Sequence, residues 1–147
     1  MKKKIAITAG VFDCFHEGHA NLLKYMNICA DQVVVFLHDD LSTYQNKGRF
    51  TVQRLEHRSS NLFQSKLVTQ VAHEYERNPG TQIVDFVIKL IRNSYGTLTL
   101  KDFVYIRGDD WQDFPGRNQI ELAGIEVRLV PYTKGVSTTM IRNQLKS

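Results

Sequence analysis

Residues 32–38, QVVVFLH, form an unbroken run of β-branched and apolar side chains between polar neighbours. A strand with one wet face alternates apolar and polar residues. A continuous run instead belongs to a strand covered on both sides, as in a parallel sheet layered between helices. The remaining segments fall into step with that reading. KIAITAGVF (4–12) is a short apolar run that reaches a glycine, in the manner of a strand, and residues 18–30 carry Leu22, Leu23, Met26 and Cys29 at helical spacing. DDLSTYQNKGRF (39–50) is a polar loop, residues 52–64 form a helix with Leu55 and Leu62 on one side, and KLVTQVAH (66–73) is a strand. Pro79 and Gly80 break the chain before a helix from about Thr81 to Asn93, where Ile83, Phe86, Val87, Leu90 and Ile91 recur at three and four. Then follow a strand in DFVYIRG (102–108), a loop, a short helix near 118–123, a strand in IEVRLVPY (125–132) and a terminal helix from Ser137.

Five strands alternating with helices predict an α/β, Rossmann-like fold: a five-stranded parallel sheet with helices on both faces, in one domain over 1–147. Composition excludes several alternatives. No apolar run approaches the roughly 18 residues of a membrane span, and the basic start leads into Asp13, His16 and Glu17 rather than an uninterrupted signal core. A cytoplasmic protein is expected. Two cysteines, Cys14 and Cys29, make neither a disulfide framework nor a four-ligand zinc site, and are expected to be reduced. The net charge of +4 is compatible with an anionic ligand, but basic and aromatic residues do not interleave as nucleic-acid binding requires.

In this architecture ligands sit beyond the carboxyl ends of the strands, and GVFDCFHEGH (10–19) occupies the first such turn. His16 and His19 admit three readings. They supply only two metal ligands, with His38, His57 and His73 on separate elements, so no dedicated protein metal site is expected. Beside Glu17 and Gly18 they make poor core fillers. As an anion site they are coherent: Gly10 and Gly18 allow close backbone approach, a helix start offers N–H groups, and imidazoles donate to phosphate. KGVSTTMIR (134–142) is a second turn of this kind, with Gly135 ahead of the hydroxyls of Ser137, Thr138 and Thr139. Alone it reads as helix capping; over the same sheet edge as the histidine loop, the pair favours a phosphate site.

GVFDCFHEGH, RGDDW and KGVSTT, in that order and at these separations, resemble the cytidylyltransferase family of the HxGH nucleotidyltransferases, and most of all its glycerol-3-phosphate cytidylyltransferases. The resemblance runs from Lys4 to about Gln144. It implies transfer of CMP from CTP to a phosphate monoester, with glycerol 3-phosphate favoured, releasing pyrophosphate without a covalent enzyme intermediate. It implies Mg²⁺ carried mainly by the CTP phosphates, and a homodimer. In that scheme the catalytic residues are His16 and His19, which hydrogen-bond the triphosphate, and Lys47 and Arg58, which hold phosphates; Gly10, Val11, Phe12, Asp13 and Gly18 bind the nucleotide, with Phe12 and Asp13 shaping the loop. Without the resemblance Lys47 reads as a solvated loop residue and Arg58 as an exposed helix residue; Arg49 is a weaker candidate. Asp110 matches the aspartate that accepts from the cytosine amino group. Adenine also carries an amino group, so an adenylyltransferase using ATP is the alternative. Trp111 reads as a core or interface residue.

One position departs from the family pattern. Tyr132 stands where an arginine usually precedes the last motif, and a tyrosine cannot replace a bidentate cation. Lys134, Arg107 or Arg142 could supply the charge. Otherwise the chain would be a catalytically impaired nucleotide-binding module.

Overall fold

The computed structural model describes residues 4–41, 43, 50–74, 78–110 and 112–131. In chain order these form β1 (Ile5–Gly10), α1 (Glu17–Cys29), β2 (Gln32–His38), α2 (Leu55–Gln64), β3 (Gln70–Glu74), α3 (Gly80–Arg92), a 3₁₀ turn (Leu100–Asp102), β4 (Phe103–Gly108), α4 (Arg117–Leu122) and β5 (Glu126–Val130). The five strands form one sheet in the order β3-β2-β1-β4-β5, and every neighbouring pair is parallel. The α/β Rossmann-like architecture expected from QVVVFLH is the one observed, and β2 buries all five residues from Val33 to Leu37.

Strand periodicity divides the core into two layers. Ile5, Ile7 and Ala9 of β1 face one way, with Val34, Phe36, Phe103 and Tyr105, and are covered by Ile83 and Val87 of α3 and Ile120 of α4. Ala6, Val33, Val35, Leu37, Val104 and Ile106 face the other way, beneath Leu23 and Met26 of α1 and Leu62 of α2. Helices that follow β1 and β2 therefore cover one face, and those that follow β3 and β4 cover the other. The order of strands reverses at the β1–β4 boundary. There the pairing covers only Ile5–Ile7 against Phe103–Tyr105, short of both carboxyl ends, whereas β1 pairs with β2 from Ile5 through Gly10.

Several boundaries differ from the sequence reading for local reasons. Helix α2 starts at Leu55 rather than 52 because the N–H groups of Val52 and Gln53 turn to the Asp13 carboxylate, and Arg54 is extended with ψ 162°. β3 starts at Gln70 rather than 66. Lys66 is left-handed with φ 62°, and its N–H returns to the Phe63 carbonyl at 3.1 Å, so the run opens with a turn. The terminal helix expected from Ser137 lies outside the described residues. Among those described, no helix is long and apolar enough to cross a membrane, and neither cysteine is in a disulfide; Cys14 is buried and the Cys29 thiol lies 3.3 Å from an Arg128 guanidinium nitrogen.

Candidate active site

The turn between β1 and α1 leaves the sheet through two left-handed residues, Phe12 (φ 52°) and Cys14 (φ 50°), a conformation that non-glycine residues adopt only under external restraint. Gly10 makes this path possible. A Cβ there would stand 2.9 Å from Cε2 of the Phe12 ring, which folds back over the end of β1. The glycine thus gives room to the chain's own aromatic ring. Phe12 is buried and its ring centroid lies 5.0 Å from that of His19, while that of Phe15 lies 5.6 Å from His19.

His16 is the N-cap of α1, extended at φ −138°, and its Nδ1 accepts from the Gly18 N–H at 3.1 Å. His19 Nδ1 accepts from the His16 N–H at 3.2 Å, which closes a reciprocal capping box built from imidazoles instead of the usual hydroxyl and carboxylate. The two rings stack with centroids 3.8 Å apart and 22° between planes. Both Nδ1 atoms are acceptors, so in each neutral ring the proton is assigned to Nε2. The consequence is a pair of parallel rings with Nε2–H donors, held at a helix N-terminus where the macrodipole favours an anion. Burial lowers the pKa of His16, which keeps this ring neutral near pH 7. The Gly18 N–H, expected to face a ligand, is instead engaged by His16.

Asp13 is buried and accepts from the Val52 N–H at 2.7 Å and the Gln53 N–H at 2.9 Å. It ties the histidine turn to the segment that leads into α2. Arg58 is fully buried, which overturns its reading as an exposed helix residue. Its guanidinium donates to the carbonyls of Val11 (2.8 Å), His38 (2.8 Å) and Gln53 (3.0 Å) and to Asp40 Oδ1 (2.7 Å). Burial acts to raise the Asp40 pKa. The Arg58 hydrogen bond and charge, with the Leu55 N–H and the Thr51 hydroxyl, outweigh it and hold the carboxyl below its usual range. Arg58 lies at the carboxyl ends of β1 and β2, with four hydrogen bonds made to the protein itself.

Asp110 is exposed on the turn that follows β4, and the adjoining Asp109 N–H donates to the Val130 carbonyl at 2.8 Å. Arg107, at the end of β4, lays its guanidinium over the Phe114 ring at 5.1 Å from the centroid. The structure thus brings Gly10, Val11, Phe12, Asp13, His16, Gly18, His19 and Arg58 together and puts Asp110 on the same sheet edge. Lys47, Arg49, Trp111, Tyr132, Lys134, Gly135, Ser137, Thr138, Thr139 and Arg142 lie outside the described residues. Sequence reasoning missed Asp40 and Gln53. Their partners are 18 and 39 residues away in the chain, and no local spacing marks such a contact.

A family profile described as cytidylyltransferase-like matches residues 7–144. Among curated proteins the chain is 28% identical over 148 residues to the bifunctional protein HldE of Yersinia pestis, covering 99% of this chain and 28% of that protein. The chain thus spans little more than a quarter of that relative's length. Among solved structures it resembles the lipopolysaccharide core biosynthesis protein from Thermoplasma volcanium, with a TM-score of 0.59 at 23% identity over 91% of this chain and 99% of that one. It also resembles a bifunctional NMN adenylyltransferase/ADP-ribose pyrophosphatase from Francisella tularensis, with a TM-score of 0.57 at 16% identity over 97% of this chain and 41% of that one. At these identities the structural likeness concerns the fold.

Proposed function

Since the chain belongs to the cytidylyltransferase-like family, a family of nucleotidyltransferases, we propose that it transfers CMP from CTP to a phosphate monoester, most simply glycerol 3-phosphate. The observation that carries this reading is the stacked His16–His19 pair, two Nε2–H donors at the start of α1. A monoester is anionic at neutral pH and needs no general base. Its oxygen attacks the α-phosphorus of CTP, a new P–O bond forms, the bond to the bridging oxygen breaks, and pyrophosphate leaves with that electron pair. The work left to the protein is alignment and stabilisation of charge on the α-phosphoryl oxygens and the leaving group.

Each residue takes its part from its place. His16 and His19 donate to the phosphates, and Gly10, Val11, Phe12, Asp13 and Gly18 fix the turn that presents them. Arg58 contributes its positive charge from beneath that turn. Lys47 holds the phosphates, and Gly135, Ser137, Thr138 and Thr139 supply the second phosphate-binding turn. Asp110 accepts from the exocyclic amino group of the base. The buried carboxylate of the turn, Asp13, has both oxygens on backbone N–H groups, so Mg²⁺ would be held mainly by the triphosphate and water, where it supplies charge neutralisation. A cytoplasmic homodimer belongs to the same reading, and sedimentation equilibrium checks the dimer.

The test is pyrophosphate release with CTP or ATP across a panel of phosphate monoesters. CTP with glycerol 3-phosphate is expected to give the highest kcat/KM. An exposed carboxylate can accept from the amino group of either base, so higher activity with ATP would support adenylyl transfer instead. Nucleotide binding without pyrophosphate release would support the impaired module. Tyr132→Arg is expected to raise activity or CTP affinity, and a clear loss would mean that the site is built around the tyrosine.

A further inference from the structure

The two left-handed residues of the histidine turn need a restraint, and the structure shows one that the family reading does not use. Gln53 Oε1 accepts from the Cys14 N–H at 3.2 Å and from the Asn61 side-chain amide at 3.0 Å. The Gln53 backbone is engaged as well, its N–H by Asp13 and its carbonyl by the Arg58 Nε. One residue therefore joins the turn, the guanidinium clamp and the first turns of α2. Its side chain grips the turn at Cys14, which is left-handed and two residues before the His16 cap.

We propose that Gln53 is a positioning residue for the histidine pair: its side-chain carbonyl, aimed by Asn61, holds the Cys14 turn that sets where the His16 and His19 Nε2 edges stand above β1. Asp13 fixes the turn to the backbone at 52 and 53, and Gln53 fixes it to α2. Two bonds from Asp13 hold one side of the turn and the Gln53 bond holds it at Cys14, so the three together set its rotation relative to the sheet. Displacement of a reacting group by about 1 Å can cost on the order of 100-fold in rate even when binding is kept. The inference rests on the nucleotidyl-transfer reading for its kinetic consequence, and on the geometry alone for its structural one.

The chemistry of the contact dictates the variants. Both partners of Oε1 are donors, so a glutamate can accept from both, while methionine keeps the length and volume without a comparable acceptor. Gln53→Met is expected to lower kcat by about 10- to 100-fold with KM for CTP changed by less than about three-fold. It is also expected to release the Cys14 amide to fast hydrogen exchange. Gln53→Glu is expected to restore both kcat and Cys14 protection to near wild type. Equal losses in the two variants, wild-type turnover in Gln53→Met, or undiminished Cys14 protection in Gln53→Met would overturn the proposal. The exchange measurement needs no substrate. A wild-type protein that released no pyrophosphate with any nucleotide would therefore defeat the functional reading and leave Cys14 protection to decide on Gln53.

Discussion

His16 holds its place in the helix cap through the nitrogen that a second proton would occupy. Protonation at Nδ1 removes the acceptor for Gly18 N–H and puts a charge where burial disfavours it. The folded-state pKa is therefore depressed below 6.5. Above that value both folded and unfolded chains carry a neutral ring, and the full stability is present. As pH falls through 6.5 the unfolded chain takes up the proton first, so stability declines until the folded ring also titrates. Chemical denaturation between pH 8 and pH 5 should show this decline, and His16→Asn, a good N-cap without a titrating group, should flatten it. An unchanged slope in the variant would refute the assignment. For the reaction, His16→Ala or His19→Ala should each reduce pyrophosphate release by about 100- to 1,000-fold, the usual consequence of losing one aligned donor.

At the scale of elements, the clamp around Arg58 joins pieces that local periodicity treats as separate. The guanidinium gathers the end of β2 through His38, the turn after β1 through Val11, and the approach to α2 through Gln53. Its removal takes a donor from the Val11, His38 and Gln53 carbonyls, of which Gln53 keeps the Thr51 hydroxyl, and takes the cation from Asp40. Arg58→Met is expected to destabilise the fold by about 3 kcal/mol or more, read from the urea midpoint. Arg58→Lys should recover only part of this, because an ammonium cannot span four acceptors in a planar fork. Wild-type stability in Arg58→Met would remove the clamp from the account. This network also marks what one sequence can disclose. β2 and α3 were legible because their apolar period is carried by adjacent residues. The late start of α2 was not, since it depends on Asp13, 39 residues upstream of Val52. The same limit explains why His16 and His19 could be singled out while Asp40 and Gln53 could not. Motif residues stand together in the chain, whereas their supports meet only after folding.

At the scale of the whole molecule, the sheet separates two apolar layers that share strands but not side chains. Met26 lies in one layer and Ile83 in the other, each fully buried. Met26→Ala and Ile83→Ala should each cost about 2–5 kcal/mol through lost burial and residual cavity. With no contact across the sheet, the double variant should be additive to within about 0.5 kcal/mol. A larger coupling, measured by a double-mutant cycle, would show that the layers communicate through the strands. The alternation of segments made this layering readable in advance, because each helix has to cover the strands beside it.

The early end of the β1–β4 ladder has a consequence of its own. Past Ile7 and Tyr105 the β1–β4 ladder stops, so the two strands part toward their carboxyl ends, where ligands enter sheets of this kind, and that parting is a matter of register. Substitution can redecorate the walls and so exchange one guest for another. The parting of the strands would close only if they were re-registered, and the fold with them.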